Sequence, residues 1–198
     1  MNPQNQQKRE ENAITLDFLP YGKSSEATKE PIAQVIGDTN FTLLEVVARA
    51  GVQLKSGQKV YIGKEHRSEV DHIKKRIKYE ELTNSAQKEL EKELLTIVQS
   101  REAEFISFLN RAGPINIRSH VLELLPAIGK KHLVAILDIR DKKPFASFAD
   151  FQERVPHVQN IVQIIMERIL LEIKGNEKYY LFVKQPRPEE ERRFPRRY

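Results

Sequence analysis

The sequence has no cysteine and no tryptophan among its 198 residues. Without cysteine, the chain cannot form disulfides or thiolate metal sites, and it has no cysteine nucleophile. This absence fits a reducing compartment, and we expect a cytoplasmic protein. No apolar run is long enough to cross a membrane as a helix, so no membrane partner is expected. The polar N-terminus lacks the apolar core of a signal peptide.

Charged residues are abundant, and basic residues outnumber acidic ones. The chain carries 33 Lys and Arg against 28 Asp and Glu, for a net charge of +5. Residues 79–104 hold three basic and seven acidic side chains, whereas the stretches before and after them are net positive. A basic balance permits a polyanionic partner without proving one. The distribution predicts an acidic helix between two basic parts.

The first third of the chain reads as a small β barrel. After a lead over residues 1–12 that we expect to be disordered, short β-prone runs alternate with Gly- and Pro-containing turns. The runs cover residues 13–19, 31–37, 41–47 and 59–63. Such spacing predicts a barrel of the oligonucleotide-binding (OB) type over residues 13–82.

A basic cluster follows the fourth run. It consists of Lys64, Arg67, His72, Lys74, Lys75, Arg76 and Lys78. Ile73 and Ile77 lie four residues apart within it, so the segment is either a short helix or an extended edge. The cluster is either a solvated face or a phosphate-tracking patch with Tyr61 or Tyr79 as a stacking platform.

The middle of the chain, residues 83–113, is predicted to be a helical connector. Neither Gly nor Pro occurs from Ala86 to Ala112, and apolar residues keep helical spacing. The pattern fits one long helix, or two with a break near Ser100. Gly113 and Pro114 end it, because Gly suits the position past a helix end and Pro prevents continuation.

The most specific pattern is a tight turn between two predicted helices. Residues 115–125 read as the first helix, Leu125-Pro126-Ala127-Ile128-Gly129 as the turn, and residues 130–137 as the start of the second helix. Leu125 and Ile128 are expected to anchor the turn in the core. Gly129 lets the backbone approach a phosphate, which the first N–H groups of the second helix would bind.

Exposed lysines accompany this turn. Lys130 and Lys131 stand in the first turn of the second helix, where the helix dipole disfavours cations. We therefore expect them to face an external anion, with Lys142 and Lys143 assisting. Contacts of this kind recognise the nucleic-acid backbone and not the bases.

The turn resembles the helix-hairpin-helix motif, whose hairpin reads Leu-Pro-Gly-Ile-Gly. Ala127 replaces the middle glycine, which costs free energy if the position needs a positive φ. The stretch around Pro156 resembles a degenerate second hairpin without a phosphate-binding glycine, so residues 114–175 are expected to form a tandem helix-hairpin-helix domain. In relatives the hairpin carbonyls can bind a monovalent cation, which the resemblance implies here for residues 125–129.

Longer phrases resemble a family of uncharacterised archaeal proteins that combine an OB-like barrel with tandem helix-hairpin-helix elements and are predicted to bind RNA or DNA. The matching phrases include Glu-Pro-Ile-Ala-Gln-Val-Ile-Gly and Leu-Leu-Pro-Ala-Ile-Gly-Lys-Lys-His, and the resemblance covers residues 12–183. It implies an α+β fold, and ribosomal RNA or a ribosomal particle as the partner.

The C-terminus adds one more expected strand. Residues 178–183 are β-prone, and because an isolated strand needs a sheet, we expect a strand over residues 176–184 that returns to the barrel. Residues 185–198 are rich in Pro and Arg and are expected to be a mobile tail, which is either merely solubilising or orders on a polyanion or partner protein.

Nothing in the sequence indicates catalysis. The five histidines, His66, His72, His120, His132 and His157, show no metal-ligand spacing, and no nucleophile or phosphate-loop motif occurs. We therefore predict a non-catalytic RNA-binding protein. The alternative is a protein-interaction module of a transcription or ribosome-associated assembly in which the hairpin is purely structural. Duplex DNA binding is the third option.

Overall fold

The computed structural model describes residues 9–23, 29–175 and 177–184. Over these residues the fold is α+β, with a curled five-strand antiparallel half-barrel sheet and five α-helices. The strands of this sheet are β1 (Asn12–Leu19), β2 (Ile32–Gly37), β3 (Leu43–Ala48), β4 (Lys59–Tyr61) and β5 (Val70–Arg76). The helices are α1 (Asn84–Ser100), α2 (Glu102–Arg111), α3 (Lys130–Lys142), α4 (Phe148–Arg154) and α5 (Ile161–Lys174).

The sheet has the strand order β4-β1-β2-β3-β5, and all its pairs are antiparallel. Strands β4 and β5 are therefore its two edges. The four predicted β-prone runs fall on β1 to β4. The basic cluster contains β5, so the extended interpretation of that segment is correct and the helical one is wrong.

Both faces of the sheet are covered by apolar packing. Every residue of β2 and β3 is buried. On one face, Leu16 and Ile36 join a hydrophobic cluster that continues into the helices. On the other, Val35, Val46 and Ile62 belong to a second, separate cluster. Burial on both faces explains why these strands read as continuous apolar runs.

The range 83–113 is helical, with a break at Arg101 between α1 and α2. The Thr83 side chain caps α1 by accepting the Ala86 N–H at 3.0 Å. At the break, Arg101 donates to the Asp38 carbonyl at 2.9 Å, and its guanidinium lies 5.1 Å from the Phe41 ring centre. Helix α1 packs against α5 and β1, so the helices and one face of the sheet share a core.

The predicted helix over residues 115–125 is wrong. The segment forms a small antiparallel hairpin of β6 (Pro114–Asn116) and β7 (Ser119–His120), followed by a 3₁₀ turn at Val121–Leu124. Side chains supply the reason, because they bind backbone groups that a helix would need. Asn116 Oδ1 accepts the Arg118 N–H at 2.8 Å, and His120 Nδ1 accepts the Leu122 N–H at 3.1 Å.

The predicted returning strand over residues 176–184 is also wrong. Residues 177–184 have no strand structure. The backbone N–H groups of Leu181, Phe182 and Val183 donate to the carboxylate of Glu172 at 2.8–2.9 Å, so they are not available for a β ladder. The segment nevertheless reaches the sheet, where the Lys184 N–H donates to the Asn40 carbonyl at 3.3 Å.

The expected disorder of residues 1–12 is wrong for residues 9–12. Strand β1 begins at Asn12, and the Glu10 carboxylate accepts N–H groups of Thr39, Asn40 and Thr42 at 3.0–3.2 Å. These bonds hold the turn between β2 and β3 against the start of β1. Residues 1–8 and the predicted tail over 185–198 lie outside the described part of the chain.

A buried ion pair on α5 joins three parts of the fold. Arg168 and Glu172 are 3% and 1% exposed, and Arg168 Nε lies 2.9 Å from Glu172 Oε1. Arg168 also donates to the Leu124 carbonyl at 3.0 Å, to Glu177 at 2.9 Å and to the Tyr179 carbonyl. Because Glu172 binds residues 181–183 at the same time, the pair connects the 3₁₀ turn, α5 and the C-terminal segment.

Removing one charge of this pair should destabilise the whole fold. Breaking a buried ion pair leaves an uncompensated charge and costs about 3–5 kcal/mol. We therefore expect Glu172→Gln to lower the free energy of unfolding by about 3 kcal/mol or more, measured by urea denaturation. The matched control, Glu167→Gln, changes a partly exposed carboxylate on the same helix. Equal stability of the two variants would show that the pair is not an anchor.

Candidate nucleic-acid interface

The residues of the Leu125–Gly129 turn pack as the sequence predicts. Leu125 and Ile128 are 2% and 3% exposed, and the Ile128 N–H donates to the Leu125 carbonyl at 3.2 Å. Pro126 is half-buried and Ala127 is exposed. The two apolar side chains therefore hold the turn in the core, while its tip faces solvent.

Ala127 has the positive φ that the motif demands. Its φ is +61°, in the left-handed region that alanine rarely adopts. His132, one turn into α3, places Nδ1 2.9 Å from the Ala127 carbonyl oxygen and so holds the strained residue. The expected cost of replacing the motif's middle glycine is therefore present.

The start of α3 is open. Gly129 is the N-cap residue and is exposed, and no side chain caps the helix. A Cβ built on Gly129 would meet no atom within 4 Å. Lys130 and Lys131 follow it and are exposed. The arrangement combines unpaired N–H groups, the positive end of the helix dipole and two cations, which suits an anion.

The corresponding position of the second hairpin is closed. Val155 and Val158 are buried, and Asn160 caps α5 by accepting the Val162 N–H at 3.0 Å. A side-chain oxygen therefore occupies the place where an external anion would bind at α5. This difference supports the first hairpin as the phosphate site.

Lys142 and Lys143 are not close to the turn. They stand at the C-terminal end of α3. With a rise of 1.5 Å per residue, Lys142 lies about 18 Å along the helix from Lys130. Cations at this end complement the helix dipole, which is a structural reason for their presence. They cannot contact the phosphate that the turn would hold.

The basic cluster of residues 64–78 divides into two sets. Lys64, Arg67 and Arg76 line a groove with Tyr61. Lys74, Lys75 and Lys78 form the second set and do not line it.

The second set is tied to acidic side chains. Lys75 lies 2.6 Å from Glu81, and Lys74 lies 3.8 Å from Glu30. The backbone N–H of Lys78 donates to Glu81 at 2.8 Å. These residues therefore do not join the groove.

Of the two proposed stacking platforms, Tyr61 is placed for that role and Tyr79 is not. Tyr79 packs against the core, and the Lys174 ammonium lies 4.9 Å from its ring centre. Tyr61 lines the groove and is half-buried.

Sequence reasoning missed two basic residues of the groove. Arg9 and Lys184 line it together with Tyr61. Arg9 fell within the lead that was expected to be disordered, and Lys184 closes a segment that was expected to be a strand. Their proximity depends on how the two ends of the described chain meet the β2–β3 turn, for which the sequence carries no local signal.

His120 is a buried histidine beside the hairpin and is neutral. Burial lowers its pKa below the ordinary value of 6.5, the nearby Arg140 guanidinium lowers the pKa further, and Glu123 raises it in part. Arg140 is fixed there because it donates to the carbonyls of Leu109 and Ala112 at 3.0 and 2.8 Å. The neutral ring is what allows Nδ1 to accept the Leu122 N–H.

Residues 9–23, 29–175 and 177–184 contain neither a candidate metal site nor a helix that could span a membrane. No group of three or more His, Asp or Glu side chains in these ranges could hold a metal ion. No helix in them is long and apolar enough to span a membrane.

Comparisons with known proteins give a family. A family model described as "Protein of unknown function (DUF655)" matches residues 9–184. Uncharacterized protein MJ0038 of Methanocaldococcus jannaschii is 43% identical over 180 residues, which are 90% of this chain and 82% of that protein. The crystal structure of Af1531 from Archaeoglobus fulgidus, itself described with the DUF655 family model, is 43% identical, with a TM-score of 0.83, and the match covers 88% of this chain and 100% of that chain.

Glycine at position 127 should relieve backbone strain. The left-handed conformation costs a residue with a Cβ about 1–2 kcal/mol, whereas glycine adopts it freely. Part of this gain is lost to the greater freedom of the unfolded chain. We expect Ala127→Gly to raise the free energy of unfolding by up to about 1 kcal/mol, measured by urea denaturation.

The same substitution elsewhere in the motif is the control. Ala135 is exposed in the middle of α3, where glycine costs about 1 kcal/mol. Ala135→Gly should therefore be less stable than the parent chain. A similar loss in both variants would contradict the strain at Ala127.

The buried His120 should make stability depend on pH. Below pH 6.5 the unfolded chain binds a proton at His120 that the folded chain does not bind, because the pKa of His120 is lower in the fold. The free energy of unfolding therefore falls as the pH decreases, by up to about 1.4 kcal/mol per pH unit. His120→Asn keeps an acceptor for the Leu122 N–H but cannot titrate. We expect its unfolding free energy to fall less steeply between about pH 7 and pH 5. Exposed His157→Asn is the control, and equal slopes in the parent chain and His120→Asn would refute the assignment.

Proposed function

This chain belongs to the DUF655 family, and from that premise we propose that it is a non-catalytic RNA-binding protein that grips the phosphate backbone. In this proposal the half-barrel acts as an OB-like module. Residues 114–175 act as a tandem helix-hairpin-helix domain in which the β6–β7 hairpin and the 3₁₀ turn stand in place of the first helix. The partner is ribosomal RNA or a ribosomal particle. The cysteine-free composition supports a cytoplasmic setting.

The observation that carries the proposal is the open start of α3. Gly129 leaves the first N–H groups of the helix accessible, and the exposed Lys130 and Lys131 add positive charge beside them. A helix N-terminus with cations is suited to a phosphate. The capped start of α5 in the same chain is the internal contrast that supports a specific role for α3.

A monovalent cation at residues 125–129 belongs to the same proposal. The Leu125 and Ala127 carbonyls already have hydrogen-bond partners, Ile128 N–H and His132 Nδ1. A carbonyl oxygen has two lone pairs, so a cation could share these oxygens.

Two exposed apolar side chains favour a second candidate, a protein-interaction module. Val134 on α3 is 58% exposed, and Ile117 at the tip of the β6–β7 hairpin is fully exposed. A partner protein that covers these apolar side chains would bind with little dependence on salt, whereas phosphate binding weakens steeply as salt rises.

A single substitution tests the proposal. Gly129→Glu places bulk and negative charge at the proposed phosphate, and the open space around Gly129 lets the fold tolerate it. We expect this variant to bind structured RNA at least about tenfold more weakly than the parent chain at low salt, measured by fluorescence anisotropy. Duplex DNA, measured in parallel, identifies the preferred polymer.

The control has the same change in charge. Gly113 also has no atom within 4 Å of a built Cβ, and it lies before β6, away from the start of α3. Gly113→Glu should keep most of the affinity. Normal RNA binding by Gly129→Glu would mean that the hairpin is a scaffold and would direct the search to a protein partner.

A further inference from the structure

A groove of about 500 Å³ lies at the open side of the half-barrel. Its walls come from both edges of the sheet, with Tyr61 from β4 and Ile73 and Arg76 from β5. Leu44 and Ile62, which belong to the hydrophobic cluster away from the helices, also line it. The groove is therefore a separate surface from the Leu125–Gly129 turn, which lies among the helices.

The position of the Tyr61 ring depends on a glycine. A Cβ on Gly63 would lie 2.2 Å from Tyr61 Oη and 2.4 Å from Cζ, so the ring occupies space that a side chain at position 63 would need. Tyr61 Oη also accepts the Glu65 N–H at 3.3 Å. An aromatic ring held in this way along a groove is a suitable platform for a nucleobase.

Basic side chains lie beside the ring, and carbonyl groups position one of them, Arg67. Arg67 donates to the Gly63 carbonyl at 2.8 Å and the Asp71 carbonyl at 3.4 Å. Neither bond pairs the guanidinium with a carboxylate. The Asp71 carboxylate attracts Arg67 electrostatically, but its hydrogen bond is to His72, at 2.7 Å. Lys64, which also lines the groove, is exposed. Both side chains can therefore meet the phosphates of a strand whose base contacts Tyr61.

The groove has fewer acidic than basic residues, and the β2–β3 turn fixes the position of one acidic side chain. The basic lining residues are Arg9, Lys64, Arg67, Arg76 and Lys184, and the acidic ones are Glu10, Glu11 and Glu65. The Glu10 carboxylate accepts the N–H groups of the β2–β3 turn. Gly37 is required for this, because a Cβ there would lie 2.1 Å from Glu10 Cδ. The groove therefore favours an anion.

The groove also contains an exposed apolar side chain. Ile73 is 38% exposed on the edge strand β5 and lines the same groove as Tyr61. Stacking and apolar contact require unpaired bases, because the faces of paired bases are covered within a duplex. We propose that this groove binds an unpaired segment of nucleic acid, with one base on Tyr61 and its phosphates at Lys64 and Arg67. The choice of RNA as the polymer rests on the proposed function.

An extended peptide is the competing occupant, because β4 and β5 are sheet edges. Charge favours the nucleic acid, because five basic residues and three acidic ones line the groove, whereas pairing with a strand edge requires no excess of positive charge. Absence of oligonucleotide binding would favour the peptide.

The test uses the full chain and labelled single strands of uridine or thymidine, about eight nucleotides long. Tyr61→Leu removes the ring and keeps apolar bulk, and we expect it to weaken binding of the single strand by roughly tenfold. Gly63→Ala should act in the same direction by displacing the ring. Tyr21→Leu changes a tyrosine that is 80% exposed and outside the groove, so it should bind like the parent chain.

A second readout separates stacking from a structural role. The chain has no tryptophan, so Tyr61→Trp introduces a single reporter. We expect this variant to retain binding and its fluorescence to be quenched by the single strand. Normal single-strand binding by Tyr61→Leu, or unquenched fluorescence in Tyr61→Trp, would overturn the inference.

The outcomes distinguish this inference from the proposed function. If the parent chain binds structured RNA in a way that depends on Gly129 but does not bind the single strand, the groove proposal fails and the hairpin proposal stands. If only the single strand binds and Tyr61→Leu abolishes that binding, the groove proposal stands and the hairpin proposal fails. If neither polymer binds at low salt, both fail. Comparison of uridine and thymidine strands identifies RNA or DNA.

Discussion

The buried pair of Arg168 and Glu172 is the interaction on which the arrangement of both proposed surfaces depends. Arg168 donates to the Leu124 carbonyl, directly before the Leu125–Gly129 turn, and Glu172 accepts the backbone N–H groups of residues 181–183. That backbone leads to Lys184, which lines the groove. Burial of two charges is unfavourable unless further hydrogen bonds satisfy them, and here the backbone supplies these bonds. The pair therefore fixes irregular segments that have few ladder bonds of their own.

Features that depend on neighbouring residues could be predicted from the sequence. The β-prone runs fall on β1 to β4, and the uninterrupted stretch after Thr83 forms α1 and α2, because apolar spacing and caps act locally. The buried Leu125 and Ile128 and the strained Ala127 follow from the pattern of the turn itself. These are the parts of the candidate site that a short motif specifies.

Features that depend on distant partners could not be predicted. Glu172 looks like a solvent-facing residue at helical spacing, yet it replaces the strand ladder that the β-prone residues 179–183 would otherwise need. Residues 115–125 carry apolar residues with helical spacing, but Asn116 and His120 bind backbone N–H groups and prevent a helix. The groove likewise joins Arg9, Tyr61 and Lys184, which no sequence window contains together.

The hydrogen-bond partners of an arginine decide whether a carboxylate within the fold compensates its charge. Arg168 and Arg154 bind carboxylates, so their charges are compensated inside the fold. Arg67 is positioned by carbonyl oxygens, which direct the guanidinium without cancelling its charge. At the Leu125–Gly129 turn the positive charge comes from the start of a helix, because Gly129 has no side chain to cap the first N–H groups of α3. Both proposed surfaces thus carry positive charge, and a polyanion is the ligand class that complements such charge.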